Sequence, residues 1–172
     1  MKKASFLTQP LFLLGISLFI YLFIYIMALS LPALTFEIVE HKTIHTGSIY
    51  IMKGVEATIG GVLGLLFLQA PAIGWLANPL YWYSCKFFVQ KKYKFSIASA
   101  FSSIIVGFTG TISTYWFALP NGSSPNSQLL LIKLLPGFWL WLAAPAFVMI
   151  IASGFAYWKH RNRLERKSVK LP

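Results

Sequence analysis

The sequence contains no aspartate, and its only acids are four glutamates, Glu37, Glu40, Glu56 and Glu165. Catalysis by paired carboxylates is therefore hard to build, because the glutamates are scattered among apolar runs. Cysteine occurs once, as Cys85, which excludes an intramolecular disulfide and a thiolate metal cluster. No histidine stands near Cys85 to act as its base, so a cysteine nucleophile is not expected. Glycine-rich phosphate loops, an HExxH pair and a serine triad are absent too. These gaps point to a non-enzymatic protein without a cofactor.

Charge as a whole is scarce. Charged residues make up 11% of the chain, against about 25% in a soluble domain. Apolar residues make up 57% and aromatics 17%, the composition of an integral membrane protein. The net charge of +11 comes from cations held in short segments between apolar runs. That pattern marks topology and contact with anionic lipids, with no nucleic acid expected as partner.

The apolar runs predict an all-α fold: a single domain over residues 1–172 forming a four-helix transmembrane bundle with a proline-broken second span. The spans are expected at about 11–31, 57–90 broken at 71, 95–119 and 134–158, with a basic cytoplasmic tail over 159–172. The stretch from Gly60 to Phe88 organises the rest. It is apolar throughout, yet Pro71 and Pro79 each remove a backbone donor, so a helix there is expected to kink or break near Leu68 to Pro71. Carbonyls freed at that depth need partners from the protein. Ala57, Gly60, Gly61 and Gly64 give the first piece a small-residue face. Ser99, Ser103, Gly107 and Thr111, four residues apart, give the third span a similar stripe for close helix packing. Thr35 to Glu40 is mixed and β-branched, consistent with either a short strand or a helical turn.

Lysine and arginine number two before the first span, two in the first loop, four in the second, none in the third and six in the tail. This alternation places both termini and the second loop in the cytoplasm.

Three groups of residues are candidates for a site. Glu37, Glu40, His41 and His45 are the only cluster with metal-ligand chemistry, His41 and His45 sharing a face if the loop is helical. Glu56 and Lys133 fall at the outer rim and could pair, although a lysine at a helix end can also snorkel to the interface. Gln69 and Asn78 flank the break, where they could bond the carbonyls released by Pro71 and Pro79 or line a small polar cavity for a substrate.

Two phrases, Gly74-Trp75-Leu76-Ala77-Asn78-Pro79-Leu80 and Pro136-Gly137-Phe138-Trp139-Leu140-Trp141-Leu142-Ala143, with Leu31-Pro32-Ala33 after the first span, resemble a loose group of small four-span bacterial inner-membrane proteins. The resemblance implies a bacterial cytoplasmic membrane and brings no functional residues with it. In size, charge and span count the chain is also similar to immunity proteins that protect bacteria from pore-forming colicins. The functional expectation is an accessory or binding protein that packs against another membrane protein. The alternatives are an immunity protein and a small transporter or channel subunit.

Overall fold

The computed structural model describes residues 5–40, 44–122 and 126–168. Among these residues lie five α-helices, two 3-10 helices and a four-stranded antiparallel sheet. The all-α four-span bundle expected from the sequence is thereby corrected: a sheet is present, and among the described residues two helices, Tyr93–Tyr115 and Pro136–Arg163, are long and apolar enough to cross a membrane, or three spans if the bent pair Gly54–Leu66 and Ala70–Val89 counts as one. Only 22% and 28% of the apolar windows of Tyr93–Tyr115 and Pro136–Arg163 are buried inside the protein. Most of their side chains thus face outward, as lipid contact requires, which is compatible with a membrane location.

Helix α1 (Ser5–Ser30) is followed at once by strand β1 (Pro32–Glu40). Pro32 is tolerated there because it opens the strand, where its missing N–H costs least. β1 pairs antiparallel with β2 (Ile44–Lys53) on one side and with β4 (Ser127–Leu134) on the other, and the two-residue β3 (Leu119–Pro120) closes the order β2-β1-β4-β3. The first and third loops between the expected spans are thus one sheet. Leu129 and Leu131 point inward with Phe36 and Leu34, while Ile132 and Lys133 are exposed. The run from Leu129 to Leu134 is apolar enough to read as the start of a helix, because a short apolar run does not reveal its period. Its alternating burial shows it to be a strand.

Helix α2 (Gly54–Leu66) starts directly after β2. The Gly54 N–H donates to the Leu31 carbonyl at 3.0 Å, and a Cβ on Gly54 would strike the Ala28 carbonyl. Glycine is needed for that approach. The end of α2 explains the break better than proline does. Leu68 takes a left-handed φ of 54°, its N–H donates to Leu65 at 3.1 Å, and the Gln69 N–H donates to Gly64 at 2.9 Å. These two bonds make a Schellman motif, with leucine in the place glycine usually holds. Pro71 then stands in the first turn of a 3-10 helix, Ala70–Leu76, where its fixed φ and absent donor suit it. The proline starts the next helix; it does not kink the previous one.

Helix α3 (Ala77–Val89) continues from the 3-10 segment, and the chain turns through 119° between α2 and this unit. Each of the two α-helices has 13 residues, about 20 Å of length against a core of about 30 Å, so neither crosses alone. α3 ends in a second Schellman motif, with Lys91 at φ 57° and N–H donors of Lys91 and Lys92 to Phe88 and Phe87, both at 2.9 Å. Helix α4 (Tyr93–Ile112) returns along it, and α5 (Pro136–Ser168) runs the length of the protein with Pro145 inside.

Two cores result. Tyr21, Tyr25, Tyr81, Phe88, Ala100 and Val148 hold the helices together, and Leu34, Phe36, Leu129, Leu131 and Phe138 seat the sheet on the start of α5. The small-residue stripe lies at the α3–α4 contact. Ser99 and Ser103 donate to the Leu80 and Ala77 carbonyls at 2.7 and 2.8 Å, and a Cβ on Gly107 would lie 2.9 Å from the Trp141 ring.

Candidate cavity beneath the sheet

The second core leaves a cavity of about 380 Å³ between the sheet, α2, the 3-10 segment and the starts of α3 and α5. None of the described residues lining it carries a charge. Its walls are glycine, aliphatic and aromatic side chains, and its exposed lining residues Gly60, Leu63 and Phe67 put a mouth along α2.

Asn78 forms the floor and is 2% exposed. Its Oδ1 accepts from the Tyr25 hydroxyl at 2.9 Å and from the Trp141 indole N–H at 3.0 Å, and its Nδ2 donates to the Trp75 carbonyl at 3.1 Å. Two donors converging on one atom fix the orientation of the amide, because the opposite orientation would set NH₂ against both. The last bond has a local cause. In a continuous helix the Trp75 carbonyl would accept from residue 79, but that residue is Pro79; the carbonyl takes a backbone N–H at the end of the 3-10 segment instead, and the side chain of Asn78 adds a second donor.

Trp75 brings a further polar group. Its Nε1 is buried and has no hydrogen-bond partner among the described residues, while the residue lines the cavity. An unpaired buried donor costs about 1–3 kcal/mol. Two of the three cavity threonines have engaged hydroxyls: Thr58 donates to Gly54 at 2.9 Å and Thr114 to Thr111 at 2.6 Å. Such a site can hold a neutral, mainly apolar molecule.

Of the residues singled out in the sequence, Gln69 and Asn78 both line this cavity. Glu56 and Lys133 are not brought together. Glu56 Oε2 accepts from the Tyr50 hydroxyl at 3.0 Å and from the Lys53 N–H at 3.1 Å, closing the start of α2. Lys133 pairs across the sheet with Thr35. The Tyr50 phenol is raised above its ordinary value of 10.0 by burial, then by its bond to Glu56 and by that carboxylate's charge.

The metal candidates lose their helical spacing, because Glu37, Glu40 and His45 lie on β1 and β2, and His41 lies outside the described residues. No group of three potential ligands comes together among the described residues. Tyr25, Trp75 and Trp141 were not candidates in the sequence. The available signal was chemical: a buried tyrosine hydroxyl or indole N–H in an apolar segment needs an acceptor, and Asn78 is the amide at that depth.

All three phrases behind the sequence resemblance meet here. Trp75 and Asn78 belong to the first and Phe138 and Trp141 to the second, and each lines the cavity. A Cβ on Gly137 would lie 2.6 Å from the carbonyl of Pro32, which belongs to the third. None of the family models, curated proteins or solved structures matches this chain.

Proposed function

We propose that the chain is a non-enzymatic binding protein of the bacterial inner membrane, whose cavity beneath the sheet takes a neutral, mainly apolar molecule bearing a carbonyl or ether oxygen. The observation that carries this reading is a cavity whose described lining bears no charge and includes Trp75, a residue whose buried indole N–H has no partner among the described residues. An oxygen acceptor placed against that N–H recovers about 1–3 kcal/mol, and the apolar walls supply the rest by excluding water. In this reading the sheet faces the periplasm and the lysine-rich end the cytoplasm.

Gly60 provides the test, since a Cβ there meets nothing within 4 Å although the residue lines the cavity. Gly60→Phe should block the mouth without disturbing the backbone. A photoactivatable long-chain methyl ester should label α2 and the 3-10 segment of the wild-type protein, and Gly60→Phe should abolish that labelling at an unchanged melting temperature. Equal labelling of both proteins would refute the reading.

One observation favours a second role as an accessory to another membrane protein. β2 is an edge strand, and its Ile49 and Ile51 are 63% and 55% exposed. A long apolar edge invites pairing with a strand of a partner protein. Ile49→Lys should abolish co-purification of such a partner and leave ester labelling intact.

A further inference from the structure

A second cavity, of about 360 Å³, lies at the opposite end of the helices and is chemically the inverse of the first. Its described lining carries five cations, Lys91, Lys92, Lys94, Lys159 and Arg163, and among the described residues no carboxylate. The fold assembles them from two distant segments. The left-handed turn at Lys91 reverses the chain between α3 and α4 and gathers Lys91, Lys92 and Lys94 around it. The last turns of α5 bring Lys159 and Arg163 opposite, anchored by the Tyr93 ring stacked on Phe155 at 5.7 Å, with the Lys159 ammonium 5.9 Å from the Tyr93 centroid.

A second feature of the same pocket points to an anion. Lys92 to Phe95, the N-cap and first turn of α4, all line it. That terminus has no side-chain cap and no acid in its first turn. The first amides of a helix lack internal partners and carry the positive end of the dipole, which together favour a phosphate. Five like charges around one pocket repel one another until an anion lies between them.

The location decides which anion. Tyr93 begins one membrane-crossing candidate and Arg163 ends the other, so the pocket lies where helix meets headgroup. Phe95, lining it, is 63% exposed and suited to acyl chains. We infer that this pocket is a specific site for the phosphodiester headgroup of an anionic membrane lipid, held between the α3–α4 turn and the end of α5.

The test uses the full chain in a neutral detergent, titrated with phosphatidylglycerol, phosphatidylcholine or inorganic phosphate and read by native mass spectrometry. The wild-type protein should retain phosphatidylglycerol in preference to phosphatidylcholine. The double variant Lys94→Gln, Lys159→Gln should bind it about 30-fold more weakly, at about fivefold per cation. Lys94→Arg with Lys159→Arg should restore binding, and Lys133→Gln, which removes a cation from the sheet, should leave it unchanged. Because the altered lysines are exposed, the melting temperature without lipid should hold, which separates loss of a site from loss of fold. Binding by the double variant within threefold of wild type would overturn the site, and so would equal weakening by Lys133→Gln. Inorganic phosphate binding as tightly as the lipid would overturn the assignment to a headgroup.

Discussion

Replacing Asn78 by leucine removes a residue that a bilayer should disfavour and inserts one it should prefer, yet the variant is expected to be much less stable. Three bonds are lost: those from the Tyr25 hydroxyl and the Trp141 N–H, and the one to the Trp75 carbonyl. At about 0.6 kcal/mol each, the average for polar contacts between membrane helices, they sum to about 2 kcal/mol. The Tyr25 hydroxyl lies in a buried residue and stays dry after the change, adding about 1–3 kcal/mol for an orphaned donor. Leucine returns about 1 kcal/mol by apolar transfer. The expected loss is therefore about 2–4 kcal/mol, measurable by unfolding in mixed micelles with tryptophan fluorescence as the signal. Trp141→Phe should cost less alone, and the two changes together should cost less than their sum, since both remove the same bond. A loss below about 0.5 kcal/mol for Asn78→Leu, or strictly additive costs, would refute the reasoning.

Other consequences are as concrete. Leu68 is 92% exposed in a left-handed conformation, so Leu68→Gly should raise stability by up to about 1 kcal/mol, as read by thermal melts. Gly107→Leu should lower the melting temperature far more than Phe108→Leu, because Gly107 faces Trp141 and Ala77 whereas Phe108 is exposed. The Tyr50 phenol, raised above 10.0 in the folded state, contributes its bond to Glu56 fully below that value, and the contribution disappears as pH rises through the elevated folded value. Difference absorbance of wild type against Tyr50→Phe should therefore show one tyrosine ionising later than a free phenol.

How far the chain could be read from its sequence depends on which physical signal each element carries. The stripe from Ser99 to Thr111 was legible because helical spacing and small size together leave few other uses. The charge distribution is legible in part: Lys91, Lys92 and Lys94 of the second loop and Lys159 and Arg163 after Trp158 do line one pocket. The sheet was not. Leu129 to Leu134 is, apart from Lys133, apolar on both sides of its pleat, and its strand state comes from pairing with β1, about 95 residues away in the chain. Pro71 was visible as a break but misleading as to cause, since Leu68 at positive φ is held by tertiary context that no propensity reveals. Asn78 was legible through the carbonyl that Pro79 must free. Its two other partners, in α1 and α5, were not, because contacts across 53 and 63 residues leave no local trace.

The central claim is that the Trp75 N–H awaits an acceptor inside the cavity, and it is tested most directly by the indole resonances of protein labelled with ¹⁵N at tryptophan. Six such signals are available, and Trp75→Phe identifies the relevant one. Adding the long-chain methyl ester should move the Trp75 N–H signal downfield, as a new hydrogen bond requires, and Gly60→Phe should prevent the shift. A Trp75 signal that stays in place at saturating ester, or one that moves equally in Gly60→Phe, would contradict the claim.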